Sequence, residues 1–207
     1  MLYMVLMVRI VVWNLKGGQG KTVLSLAIAM LQGMYVVTND VHSPIDEVLG
    51  EDRAIRIGIR DKLPSVPLEI DLIFDFGGYP DTRIIEASKA ANCVVVPIIY
   101  ESPLEMQVTI NALAEIEKYT NRIIIVLNKA KQGDSERARL VFSEFGYDYP
   151  ILEVKQSTCF SRAIEHKISL QQMVDENPLL SFHYSKPLNQ VRKLIEVIKN
   201  EYESTNR

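Results

Sequence analysis

Short, unbroken apolar runs recur along this chain, each separated from the next by enough residues for a helix. Residues 8–13, 35–38, 72–76, 94–99 and 123–127 are such runs, rich in Val, Ile, Leu and Phe. They are continuous where a strand with one wet face would alternate, so they read as strands buried on both faces of a parallel sheet. The segments between them carry the other period. Residues 21–32 place Val23, Leu24, Ala27, Ile28 and Leu31 on one stripe at helical spacing, and 82–91, 104–119 and 134–145 read the same way. Pro103 suits a first helical turn behind Ser102 as N-cap, and Gly146 suits the position just past a helix end. The pattern predicts an α/β fold: a mostly parallel twisted β-sheet with helices on both faces and right-handed crossovers. At 207 residues it predicts one domain over 1–207, with residues 1–6 an extended start that does not pack. Ligands in such sheets bind beyond the carboxyl ends of the strands, which places the candidate sites just after Trp13, Thr38, Phe76 and Leu127.

After the first strand comes Asn14-Leu15-Lys16-Gly17-Gly18-Gln19-Gly20-Lys21-Thr22, and then a helix. Gly17, Gly18 and Gly20 let the backbone turn tightly and aim successive N–H groups into one concavity at a helix N-terminus, an anion nest. Lys21 can reach β- and γ-phosphates, and the Thr22 hydroxyl can ligate Mg²⁺. The strict pattern G-x-x-x-x-G-K-[ST] is not met, because Leu15 stands where its first glycine belongs. Asp75 ends its strand ahead of Phe76-Gly77-Gly78. A carboxylate there can hold a Mg²⁺-bound water, and Gly78 can bring a backbone N–H to the γ-phosphate. Asn128 follows the strand 123–127, where its amide can pair with the N6 and N7 edge of adenine. The guanine-reading N-K-x-D is not present, since Lys131 occupies its last position.

Composition removes several classes. With 23 Lys and Arg against 26 Asp and Glu the net charge is -3, so a globally basic nucleic-acid coat is excluded and any DNA contact must come from a local patch. Cys93 and Cys159 lack metal-ligand spacing and are too few for a disulfide scaffold; a reducing, cytoplasmic setting is the expectation. The most apolar stretch, 1–13, is interrupted by Arg9 and is shorter than a membrane-spanning helix; it also lacks the basic start and cleavage site of a signal peptide.

The segment Lys16-Gly17-Gly18-Gln19-Gly20-Lys21-Thr22 resembles the deviant Walker A motif, KGGxGK[ST], of the ParA/MinD family of P-loop ATPases. The resemblance continues in Glu69-Ile70-Asp71-Leu72-Ile73-Phe74-Asp75, in residues 90–97, and in residues 154–163, which look like the segment that closes the family's nucleotide pocket. Together these span roughly residues 8–175 in the family's order. The resemblance implies a P-loop NTPase of the SIMIBI type that uses ATP and Mg²⁺. It implies nucleotide contacts from Lys16 to Thr22, from Val23, and from Gly78 and Asn128, with the metal at Thr22 and, through water, Asp75. Lys16, Lys21 and Asp40 become the catalytic candidates. The family's D-x-D-P-Q segment is matched only loosely by Thr38-Asn39-Asp40-Val41-His42-Ser43-Pro44. If Asp40 matches the second, water-positioning Asp, Thr38 replaces the first; if it matches the first, His42 stands in the catalytic place.

By the same resemblance, ATP would drive a sandwich homodimer that binds DNA nonspecifically, a ParB-like adaptor would stimulate hydrolysis, and the ATP-bound form would associate with the nucleoid. The chain starts close to the phosphate loop, as in the short form of the family without a helix-turn-helix extension. The last helix, 186–202, puts Val191, Leu194, Ile195 and Ile198 on one face, leaving Lys186, Arg192, Lys193 and Lys199 as a candidate DNA-backbone patch. Its polar end, 201–207, does not resemble the amphipathic membrane anchor of MinD-like proteins, so a membrane switch is the third reading. The second is an ATP-dependent biosynthetic enzyme of the same fold, like a dethiobiotin or cobyrinate amide synthase.

Overall fold

The computed structural model describes residues 7–179 and 181–205, with side chains up to residue 200. Seven strands form one sheet in the order β3-β2-β4-β1-β5-β6-β7: β1 (Arg9–Val12), β2 (Tyr35–Thr38), β3 (Ala54–Arg56), β4 (Leu72–Asp75), β5 (Cys93–Ile98), β6 (Ile123–Ala130) and β7 (Ile151–Lys155). Every pairing is parallel. The chain runs outward from β1 to β3, returns to β4, then crosses over β1 to β5 and on to β7. Strand order therefore reverses around β1, and the ends of β1, β4 and β2 form the crevice where such sheets bind ligands. Register sharpens this, because Asp75 is the partner of both Val12 and Thr38. Three strands thus end level, with one carboxylate at their centre.

The helices are α1 (Lys21–Gln32), α2 (Ile45–Leu49), α3 (Arg83–Ala90), α4 (Pro103–Ile116), α5 (Asp134–Glu144), α6 (Cys159–His166), α7 (Leu170–Glu176) and α8 (Ser181–Thr205). Alternate residues of each strand feed two separate cores. Ile10, Val12, Ile73, Val95 and Ile124 pack with α1, α6, α7 and α8, while Val11, Phe74, Val94, Val96 and Ile125 pack with α3, α4 and α5. That two-sided burial is why these strands read as unbroken apolar runs. Ser102 caps α4 by accepting from the Glu105 N–H, with Pro103 in the first turn, and Gly146 adopts φ +78° beyond α5, both as expected from the sequence.

The edges differ from the sequence expectation. The strands β3 and β7 and the short helices α2, α6 and α7 were not anticipated, because edge strands bury one face only and Ile151–Lys155 is broken by Glu153. The last helix begins at Ser181 and carries Pro187 inside it. Proline leaves the His183 carbonyl without its helical donor, and the Cys159 thiol donates to that oxygen at 3.7 Å. The proposed extended start, 1–6, and the side chains of the polar tail lie outside the described residues. No helix among the described residues is long and apolar enough to cross a membrane.

Candidate functional site

The loop between β1 and α1 is braced from below before it meets any ligand. Asn14 is fully buried; its amide donates to the Pro97 carbonyl at 3.0 Å and to Thr109 Oγ1 at 3.1 Å, and its Oδ1 accepts the Lys16 N–H at 2.9 Å. Gln19, also buried, accepts the Ile99 N–H with its side chain, while its own carbonyl accepts from Asn128 Nδ2 at 2.9 Å. The first N–H groups of α1 have no partner within the helix, and no side chain caps them. They open onto the concavity formed by Gly17 to Gly20. Two glycines are sterically required. Gly20 has φ +84°, and a Cβ there would sit 2.0 Å from Asn128 Nδ2. A Cβ on Gly78 would press to 3.1 Å from both the Gly17 backbone and Lys21 Nζ. The turn after β4 therefore closes directly over the phosphate loop.

Inside this cradle Lys21 is buried and its ammonium donates to the Lys16 carbonyl at 3.0 Å. Burial lowers its pKa against the opposing pull of Asp75 and Asp40. Asp75 is buried as well, accepting from Thr22 Oγ1 at 2.9 Å and Ser25 Oγ at 2.8 Å. Burial pushes its carboxyl up to about 6, more than the two hydroxyl donors and Lys21 bring it down. A lysine and a carboxylate, each desolvated and neither fully compensated, fit a ligand that brings both signs of charge. Hydroxyl and carboxylate oxygens of this kind are the hard donors that suit Mg²⁺, which keeps most of its coordination as water and phosphate. Among the described residues, no cluster of three or more His, Cys, Asp or Glu offers a metal cage of the protein's own.

Lys16 is turned the other way. Its ammonium pairs with Glu105 at 2.6 Å and Glu101 at 2.8 Å, both on or beside the start of α4, and those hydrogen bonds raise its pKa. It does not enter the cradle that Lys21 occupies. Both carboxylates are about half exposed.

Asp40 follows β2, with its N–H bonded to Thr38 Oγ1 at 3.1 Å. Its charge acts on both Lys21 and Asp75. His42 is exposed, and its N–H donates to Asp40 Oδ1 at 3.0 Å. Asn128, expected to read a base, is committed in part to clamping the loop; its Oδ1 also accepts the Lys129 N–H at 3.0 Å. One amide hydrogen and one lone pair remain for a base. Val23 is 38% exposed, so only its backbone N–H is suited to the cradle. The basic residues of α8 do not share one face. Lys186 and Lys193 line an open groove of about 760 Å³ with Lys155 and His183, whereas Arg192 turns to Gln171 and Lys199 to Gln32. A 100° step per residue explains the split, since 186 and 193 are seven apart, as are 192 and 199.

Ser25, Asn14 and Asn39 were not singled out from the sequence, and Gln19 was expected as a nucleotide contact, not as a brace of the loop. Ser25 left a trace there, as a polar residue inside the apolar stripe of α1.

No protein-family model and no curated protein matches the sequence. Solved structures do. An aspartate-to-alanine variant of McdA from Cyanothece, in complex with ATP, superposes with a TM-score of 0.64 at 15% identity over 93% of this chain and 96% of that one. A candidate plasmid partition protein from Borrelia burgdorferi bound to AMPPNP gives 0.61 at 12% identity, over 92% of this chain and 99% of that one. The septum site-determining protein MinD from Pyrococcus horikoshii, complexed with Mg-ADP, gives 0.59 at 16% identity, over 93% and 99%. The fold of this chain is therefore that of the ParA/MinD-like P-loop proteins, over nearly the full length of each.

Proposed function

We propose that this chain is a ParA-like ATPase that binds ATP with Mg²⁺, dimerises face to face on its nucleotide, and serves in the segregation or positioning of a cargo. The observation that carries the reading is the contrast within one loop. Lys21 and Thr22 sit in the cradle beside a buried Asp75, while Lys16 pairs outside it with Glu101 and Glu105 at the start of α4. Mg²⁺, when bound, would be held by the Thr22 hydroxyl and, through water, by Asp75, and would offset charge on the β- and γ-phosphates. The residues of the chain do the remaining work. The N–H groups from Gly17 to Val23 orient the phosphates, Lys21 neutralises them, and Gly78 is placed to donate its N–H to the γ-phosphate. Asp40, facing the pocket where His42 does not, holds the attacking water. Lys16 reaches the triphosphate of the partner subunit, where an ammonium in a site of low water content stabilises developing charge.

The same reading assigns a single domain over 1–207, a cytoplasmic protein that joins the nucleoid when ATP-bound, and a ParB-like adaptor as the hydrolysis stimulator. It places DNA backbone contacts on the groove holding Lys186, Lys193 and Lys155, with Arg192 and Lys199 as a separate, weaker pair. Size-exclusion and DNA-shift experiments with ADP, ATP and a non-hydrolysable analogue test it. An ATP-dependent dimer that retards DNA of any sequence, with affinity falling steeply with salt as counterions are released, is the expected result. A monomer in every nucleotide state, or sequence-selective and salt-indifferent binding, overturns it; nucleotide turnover without dimer or DNA shift favours a biosynthetic enzyme of the same fold.

A further inference from the structure

Asn39, the residue just ahead of Asp40, is 3% exposed, and its polar atoms are bonded to the turn beyond β4. Its Oδ1 accepts the Gly77 N–H at 2.7 Å, its Nδ2 donates to Asp81 Oδ2 at 2.7 Å, and its carbonyl accepts from the Tyr79 hydroxyl at 2.8 Å. Asp81 is in turn gripped by Arg83, Nε to Oδ1 at 2.9 Å and Nη2 to Oδ2 at 2.6 Å, with both side chains nearly buried. Burial would raise the Asp81 carboxyl, but Arg83 and Asn39 outweigh it and hold it below the usual carboxylate range. The other arm of Arg83 donates to the Gly58 and Asp61 carbonyls at 2.7 and 2.8 Å, anchoring the network to the connection after β3. On the far side, Arg56 donates to the Asp40 carbonyl and to the Ser43 carbonyl. The backbone of 39–40 is thus fixed from two directions, while the Asp40 carboxylate accepts from the His42 N–H.

The geometry points to Asn39 as a positioning residue that couples the Gly77–Gly78 turn to the water-holding Asp40. Gly77 precedes Gly78, where an added Cβ would press on Gly17 and Lys21 Nζ, the place at which a γ-phosphate would arrive. A peptide shift there on phosphate contact is passed through the Gly77 N–H to the Asn39 side chain, and by one covalent bond to the Asp40 backbone. Leucine, of similar size, would fill the same buried space with neither donor nor acceptor, so the chain has a polar link where packing alone could have been satisfied. This inference rests on the ATPase reading above and specifies how hydrolysis waits for a third phosphate.

The test is hydrogen–deuterium exchange of the full chain by mass spectrometry, with ADP and with a non-hydrolysable ATP analogue, alongside ATP turnover. In the wild type the analogue should protect both 77–79 and 39–43 beyond ADP. In Asn39→Leu the protection at 77–79 should remain and that at 39–43 should vanish. Turnover should fall by about 10- to 100-fold, the scale of a misplaced catalytic group, with ADP affinity unchanged. Coupled protection persisting in Asn39→Leu, or turnover and ADP affinity falling together, would overturn the inference while leaving the ATPase reading intact. A wild type that binds neither nucleotide overturns the ATPase reading, and the inference with it.

Discussion

On the inner wall of the phosphate loop, Thr22 and Ser25 donate to the buried Asp75, and the buried Lys21 donates to the Lys16 carbonyl; on its outer rim, Lys16 leans on two carboxylates that are about half exposed. The inner groups are fixed by burial and local spacing, so they are prepared for a ligand before it comes. Their charges are also poorly compensated, which makes the cradle costly while it is empty. The rim has the opposite character. Its ion pairs form near solvent, where such pairs contribute little. One wall is fixed by buried contacts, and the other is held by partly exposed charges.

The largest effect should come from the inner wall. Lys21→Ala removes the one cation inside the cradle and should abolish measurable ATP binding by the isolated chain, a loss of at least about 100-fold for a desolvated phosphate contact. Near-normal affinity, read by calorimetry, would mean that the outer lysine does the binding and would erase the distinction between the walls.

Asp75→Asn comes next and should move stability and function in opposite directions. The folded carboxyl titrates near 6 against an ordinary 3.8, so the folded state takes up its proton first. The Asp75 contribution to the stability of the ligand-free protein is then most favourable below about pH 4, declines as pH rises towards 6, and stays low above that. At about 1.4 kcal/mol per unit, a rise of roughly two units costs on the order of 3 kcal/mol at neutral pH. An asparagine can still meet the Thr22 and Ser25 hydroxyls and carries no charge. It should raise the urea midpoint at pH 7 by the equivalent of about 1–3 kcal/mol and flatten the slope between pH 4 and 6, while Mg²⁺-dependent nucleotide binding is lost. A variant less stable than wild type at pH 7 would show that the carboxylate is better compensated than its burial implies.

The legibility of the two walls in the sequence depends on how far apart their partners lie along the chain. Gly17 to Thr22 act within one loop, so their spacing alone announces them, and register then brings Asp75 level with that loop. Ser25 meets Asp75 across 50 residues, Asn39 meets Gly77 across 38, and Lys16 meets Glu101 across 85. Such pairs are set by strand order and loop path, which local patterns do not encode. The same limit governs the fold. Buried strands such as β4 and β5 were readable because both faces are apolar, whereas β7 at the sheet edge tolerates Glu153 and was not. On α8 a count of basic residues suggested one patch, and the helical turn divides it in two.

Lys16→Ala should leave ATP affinity of the monomer within about tenfold of wild type, since the cation at the phosphates is Lys21, yet remove ATP-dependent dimerisation and adaptor-stimulated turnover. Analytical ultracentrifugation with the ATP analogue separates these effects. Equal loss of monomer binding in Lys16→Ala and Lys21→Ala would reduce Lys16 to an ordinary loop charge.

The smallest expected effect bears on what holds Lys16 back. To reach a partner's triphosphate, its ammonium must leave Glu105 at 2.6 Å and Glu101 at 2.8 Å. Both carboxylates are about half exposed, so each pair is worth at most about 1 kcal/mol, or roughly a fivefold change in an equilibrium. Replacing either by glutamine removes that attraction and also removes a negative charge from the rim that the partner's phosphates would approach. Both consequences act in the same direction. Glu101→Gln and Glu105→Gln should therefore each lower the ATP concentration needed for half-maximal dimerisation by about two- to fivefold, and the double variant should depart from the product of the two because both carboxylates share the Lys16 ammonium. The gain should shrink in high salt, where the wild-type pairs are already screened. If dimerisation instead weakens in these variants, the carboxylates hold Lys16 in the position from which it enters the partner's site, and the rim is as prepared as the inner wall.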